Sequence, residues 1–141
     1  MVYLDRGTAY NKLKKYNNAL QDYTKAIELD NSSAEVFSNR GDVYYILQDY
    51  DNAIEDYNKA IELDNSYAKA YFNLATIYQN TDFDKAEKYF NKTIDNIENF
   101  NDKKYLPYQG LAYIYQRKGE EKRTEEYLQK AKELGYEPEE E

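Results

Sequence analysis

Cysteine, histidine and tryptophan are absent from the 141 residues, and there are only two prolines and one methionine. Without cysteine the chain has neither a disulfide nor a thiolate metal site. Without histidine or cysteine it lacks the side chains that most often act as general base or nucleophile, and its serines fall mainly in turn-like stretches. Carboxylates such as Asp49 and Asp51 sit where aspartate serves as a turn and capping residue. They do not follow the alternating oxygen donors and central glycine of a calcium loop. Neither catalysis, a metal nor a cofactor is therefore expected. No apolar run approaches the roughly 20 residues needed to span a bilayer. The first residues also lack the basic-then-apolar order of a secretory leader. An intracellular, cytoplasmic protein without membrane contact is the expectation.

Concentrated positive charge is also missing. The net charge is −8, and residues 34–67 carry two basic against eight acidic side chains, a local balance of −6. Residues 1–33 stand at +1. Phosphate binding is driven by clustered Lys and Arg, so nucleic acid is excluded as the main ligand. Lys103, Lys104, Arg117, Lys118, Lys122 and Arg123 gather near the C-terminus, but Glu120, Glu121, Glu125 and Glu126 are interleaved with them, as on a solvated helix.

What the chain has instead is a repeat. Arg6 to Asn31 moved forward by 34 residues falls on Arg40 to Asn65, with Gly7 on Gly41, Tyr10 on Tyr44, Ala19 on Ala53, Tyr23 on Tyr57 and Ala26 on Ala60. Lys25–Asn31 recurs letter for letter as Lys59–Asn65. A fixed period of this length signals stacked supersecondary units that share their core with neighbours. Eighteen tyrosines supply much of the apolar bulk; such rings can be buried while their hydroxyls reach the wet edge of a thin structure.

Each unit reads as two amphipathic helices joined by a short turn. Phe37, Gly41, Tyr44 and Tyr45 keep helical spacing, Gln48–Asp51 interrupts it, and Ala53, Ile54, Tyr57, Ala60 and Ile61 resume it. Ser32 and Glu35 have the spacing of a capping box that would start a helix near Ser33, and Thr81 with Asp84 would do the same in the third unit. There the turn before Ala86 is one residue shorter, and Phe90 and Thr93 replace Tyr57 and Ala60. Between Ile94 and Tyr105 the spacing stretches by four residues, which predicts a helix extended to about Phe100 and a loop over Asn101–Lys104. The fourth unit follows as Tyr108, Leu111, Ala112, Tyr115, Thr124, Leu128 and Ala131, with Pro107 near its start, where a missing amide hydrogen costs little. The charged tail, residues 137–141, is expected to fray.

Gly7-Tyr10-Ala19-Tyr23-Ala26 and Gly41-Tyr44-Ala53-Tyr57-Ala60 match closely, and Ala75-Tyr78-Ala86-Phe90 and Ala112-Tyr115-Thr124-Leu128-Ala131 more loosely, the signature of one family. The chain resembles the tetratricopeptide repeat. The resemblance implies an all-α fold, a right-handed superhelical solenoid of about four helix-turn-helix repeats. They would form a single array at approximately 1–33, 34–67, 68–100 and 105–137.

It further implies a protein-interaction scaffold that holds an extended peptide along a concave groove lined by the first helix of each repeat. Carried onto this sequence, the groove would be formed by Leu4, Asp5, Thr8 and Lys12 in the first repeat, and by Glu35, Ser38, Asn39, Asp42, Tyr45 and Ile46 in the second. The third supplies Lys69, Phe72, Asn73, Thr76 and Asn80, and the fourth Leu106, Gln109, Tyr113, Gln116 and Arg117. Of these, Asn39, Asp42, Tyr45, Lys69, Phe72, Asn73, Thr76, Gln109, Tyr113 and Arg117 are the expected peptide contacts. Asn39 and Asn73 look like two rungs of the asparagine ladder by which some family members hold a peptide backbone, or they hydrogen-bond a neighbouring repeat. Asp5 and Gly110 occupy the matching places at either end. The family's carboxylate clamp for acidic chaperone tails fits poorly, since Asn39 and Lys69 match it but Leu4, Thr8 and Asn73 do not. With Asp5, Glu35 and Asp42 in the groove, a neutral or basic segment is the expected partner. The rival expectations are a structural element forming a homo-oligomer through its terminal repeats, and a regulatory fragment of a larger protein.

Overall fold

Small residues alternating with aromatics along amphipathic stretches produce eight α-helices and one 3-10 turn in the computed structural model, which describes residues 1–139. The helices are α1 (Val2–Lys12), α2 (Tyr16–Leu29), α3 (Ala34–Ile46), α4 (Tyr50–Leu63), α5 (Ala68–Tyr78), α6 (Phe83–Asp95), α7 (Leu106–Lys118) and α8 (Glu121–Glu133). No strand occurs among the described residues. The chain has the all-α architecture of a helical-repeat solenoid and divides into two compact units, Met1–Ala70 and Tyr71 onward, with the boundary inside α5.

In the first unit α1 pairs with α2 and α3 with α4, and α3 also packs on α2. Glycine permits the close approach within each hairpin: a Cβ on Gly7 would lie 2.9 Å from Tyr23 Cε1, and one on Gly41 2.8 Å from Tyr57 Cε1. Ala19, Tyr23, Val36 and Val43 form the buried centre, flanked by Leu4, Tyr10, Tyr16 and Leu20. Arg6 donates two hydrogen bonds to Asp22, each 2.8 Å, and Arg40 does the same to Asp56 at the same distances. Arg40 also donates to Thr24 Oγ1 at 3.2 Å, tying the second hairpin to the first.

In the second unit, Ala75, Ala86, Phe90, Leu111, Ile114 and Tyr115 form the core. Tyr89 stacks on Tyr71 and Tyr78 at centroid distances of 6.4 and 6.0 Å, and Tyr127 stacks on Tyr115 at 5.4 Å. Such pairs contribute about 0.5–1.5 kcal/mol each beyond the area they bury.

Local chemistry sets the helix ends, and here the sequence reading needs correction. Ser33, not Ser32, caps α3 by accepting from the Val36 amide at 3.4 Å, while Ser32 turns back to Asp30. Asp82, not Thr81, caps α6 by accepting from the Lys85 amide at 3.0 Å. Both were misplaced by one residue because neighbouring Ser, Thr and Asp are chemically interchangeable as caps. The helix expected to run to Phe100 stops at Asp95, followed by the 3-10 turn Ile97–Asn99. The turn brings Phe100 back into the interior, where it is 2% exposed. Burial of that ring outweighs the continuity of one more helical turn. Glu137–Glu139 have no regular structure; the other two tail residues, 140 and 141, lie outside the described residues.

Candidate functional site

The second unit contains a cleft of about 280 Å³ lined by Phe72, Thr76, Gln79, Phe90, Leu106, Gln109, Gly110 and Tyr113. Phe72 and Thr76 come from α5, Gln79 from the turn that follows it, and Leu106, Gln109, Gly110 and Tyr113 from α7, so the first helices of two successive hairpins form most of its walls. Phe90, on α6, closes the floor with Phe72, the two rings 5.8 Å apart. Phe100 packs behind Phe72 at 5.2 Å, so the turn inserted after α6 props the floor from below. Thr76 Oγ1 donates to the Phe72 carbonyl at 2.9 Å, which fixes its rotamer. Tyr113 Oη donates to Asn80 Oδ1 at 2.6 Å, anchoring that ring at one end. Among the described residues, no ionisable acid or base other than the Tyr113 phenol lines the cleft. The Gln79 and Gln109 amides each offer one acceptor and two donors, a set suited to a peptide backbone.

Four expected contacts, Phe72, Thr76, Gln109 and Tyr113, thus meet in one place, with Leu106 beside them. Asn73 and Arg117 lie outside this cleft, and Arg117 is exposed. Gln79, Phe90 and Gly110 were not foreseen as lining. The signal for them was present: the ladder position that holds asparagine in two repeats holds glycine in the fourth.

In the first unit two of the expected contacts, Asp42 and Lys69, are committed to internal bonds. Asp42 Oδ1 accepts from the Tyr57 hydroxyl at 2.8 Å, and its other oxygen pairs with Lys69 Nζ at 2.9 Å. The Tyr45 ring packs against Tyr50 at 5.6 Å, over the turn between α3 and α4, and burial raises its phenol pKa. Asn39 is half-buried on α3. One further groove residue needs correction. Ser38 is wholly buried, because α3 is packed by both α2 and α4 and so buries a wider arc than an outer helix. Leu4 lies against the core around Tyr23.

A larger cleft of about 650 Å³ lies on the first unit, with Phe37, Arg40, Ile54, Glu55, Asp56, Lys59 and Glu62 among its lining. Its polar groups largely satisfy one another: Arg40 with Asp56, and Lys59 with Glu62 at 2.9 Å. Burial pushes the Asp56 carboxyl above the usual carboxylate range while Arg40 pulls it back. Asp22, hydrogen-bonded to the more exposed Arg6, is shifted below that range.

These hairpins define a class of protein, the helical-repeat solenoid. A model described as TPR repeat matches residues 7–48 and 41–82, and two described as tetratricopeptide repeat match residues 69–96 and 107–134. The chain belongs to the tetratricopeptide repeat family. No curated protein sequence matches it. Among solved structures it is similar to MamA, with a TM-score of 0.84 at 29% identity over 94% of this chain and 75% of that one. The first TPR of Spaghetti (RPAP3), bound to HSP90 peptide SRMEEVD, gives a TM-score of 0.75 at 26% identity over 84% of this chain and 91% of that one. PilF of Pseudomonas aeruginosa gives 0.84 at 20% identity, over 95% and 60% of the respective chains, a likeness of fold alone. No helix among the described residues is long and apolar enough to cross a membrane.

Proposed function

We propose that the chain is a protein-interaction module whose four hairpins form one array and whose first helices hold an extended peptide segment of a partner protein. The observation that carries this reading is the uncharged cleft between α5 and α7, which gathers Phe72, Thr76, Gln109 and Tyr113. Apolar ring faces beside unspent amides are what a peptide needs, since its side chains seek burial and its backbone seeks partners. A neutral segment suits this surface best. Asp42, one of the three acidic residues that favoured a basic ligand, is paired with Lys69. The acidic HSP90 peptide held by the RPAP3 domain is a poor guide to this chain's ligand, because the clamp residues are incomplete here.

The test is selection from a random linear-peptide library on wild-type protein, followed by rebinding to Gln109→Arg and to Asn39→Ala with Asn73→Ala. Peptides that bind wild type and lose affinity for the variants support the reading. Equal binding by all three proteins, or no selected peptide, overturns it. Self-association is the second reading. It rests on Val2 and Leu13 of the first repeat, which are 72% and 66% exposed, and a mass that stays monomeric in light scattering at high concentration excludes it.

A further inference from the structure

We infer that the α5–α7 cleft is a selective seat for one bulky apolar side chain of the partner segment, of leucine, methionine or phenylalanine size; this rests on the peptide-binding reading above. In its own repeat, Gly110 stands where Asn39 and Asn73 stand in theirs. Its lack of a side chain is imposed by packing: a Cβ there would lie 2.3 Å from Phe90 Cζ and 2.6 Å from Cε1, far inside contact distance. Phe90 can therefore rise to the floor of the cleft only because residue 110 is glycine. The amide that a ladder would present is replaced by a ring. Phe72, itself backed by Phe100, completes a floor of aromatic carbon.

Three further features fix what fits. The cleft measures about 280 Å³, more than the roughly 150 Å³ that holds a benzene-sized group in a protein cavity. Among the described residues its lining holds no carboxylate, ammonium or guanidinium that could pair with an incoming charge. A charged side chain seated there loses hydration without compensation. The rim is polar and preset, with Tyr113 held by Asn80 and Thr76 held by the Phe72 carbonyl, so the backbone flanking the seated residue meets oriented groups.

The experiment uses the whole chain and peptides selected from the random library. Each peptide position is replaced in turn by alanine and by aspartate, and dissociation constants are read by fluorescence anisotropy. One apolar position is expected to weaken binding by about tenfold or more on change to alanine, and further on change to aspartate. A photoreactive phenylalanine analogue at that position is expected to crosslink to α5 or α7. Gln79→Lys is expected to shift that preference toward an acidic residue. Peptides that bind with no apolar position, or whose apolar position crosslinks elsewhere, overturn the seat and leave the module intact. If no peptide is selected, the module falls and the seat with it.

Discussion

The two units solve the same packing problem with opposite chemistry. Where the first unit places Arg40 and Asp56, the third repeat places Leu74 and Tyr89. In the first unit each hairpin is joined by a bidentate ion pair. In the second unit Leu74 is wholly buried and Tyr89 stacks between Tyr71 and Tyr78. The hairpin therefore does not need charge to close. A buried ion pair rarely contributes more than well-packed apolar groups of like volume, and its geometry favours one arrangement over others. Arg40, reaching both Asp56 and Thr24, holds two hairpins at once. In the second unit the stacked rings lie within a hairpin, and the two hairpins are joined by Lys118 of α7, which pairs with Glu87 of α6 at 2.7 Å.

Breaking the ionic version has the largest expected effect. Asp56→Ala leaves Arg40, whose side chain is 17% exposed, without its partner, and a loss of about 3–5 kcal/mol in urea unfolding is expected. Importing the other unit's solution as Arg40→Leu with Asp56→Tyr sharpens the comparison. That double variant is expected to be neutral or to gain about 1–4 kcal/mol. A gain refutes any claim that the pair is needed for stability; a loss as large as that of the single variant refutes the equivalence of the two chemistries. The matching change at Asp22 is expected to cost less, because its partner Arg6 is half exposed.

Gly110→Ala attacks the second unit alone. Overpacking against Phe90 is expected to cost about 1–3 kcal/mol and to close the cleft, read as a lower melting temperature together with lost peptide binding.

Titration separates the units further. Tyr115 is buried and donates to Glu87 at 2.6 Å, which pushes its phenol up to about 12 from 10. A raised folded-state value means a contribution complete below pH 10 and lost as pH rises towards 12. Tyr115→Phe is expected to flatten that alkaline limb. At the acid end Asp22 and Asp56 oppose each other. The depressed carboxyl of Asp22 contributes stability above the ordinary carboxylate range and loses it as pH falls through its folded value. The raised carboxyl of Asp56 contributes most when protonated and loses ground as pH rises through its folded value. Asp56→Asn is therefore expected to steepen the acid dependence, and Asp22→Asn to shallow it.

The smallest effect concerns the turns. Gln48 adopts φ 61° and Lys14 φ 58°, whereas the fourth repeat places Gly119, at φ 76°, in its turn. Gln48→Gly relieves left-handed strain but adds freedom to the unfolded chain, so a net gain of at most about 1 kcal/mol is expected. A clear loss would show that the Gln48 side chain matters more than its backbone.

The family, the helix pairs and most buried positions were legible because the repeat makes each prediction twice. Tyr23 and Tyr57, or Ala19 and Ala53, identify one another as core without any structure. What escaped the reading was where the repetition fails. The added residues after Ile94 could continue a helix or fold a turn, and only burial of Phe100 decides between them. Helix caps slipped by one residue because Ser32 and Ser33 carry the same hydroxyl. The site was half legible: helix position gives the walls, Thr76 and Gln109, but not the floor. Phe90 belongs to a second helix and reaches the cleft only through the gap at Gly110. Internal bonds such as Asp42 to Tyr57 were also unreadable, since sequence reports charge and not its partner.

The turn at Ile97–Asn99 lies between hairpins and not within one. Lengthening such a junction costs little, about 0.6 kcal/mol for each doubling of a flexible loop, whereas an insertion inside a hairpin shifts every facing contact. Here the inserted segment ends in the ring that backs the cleft. A change in this junction can therefore alter the backing of the cleft while the hairpins that keep the protein folded stay as they are. Durability and novelty are written in different stretches of the same gene.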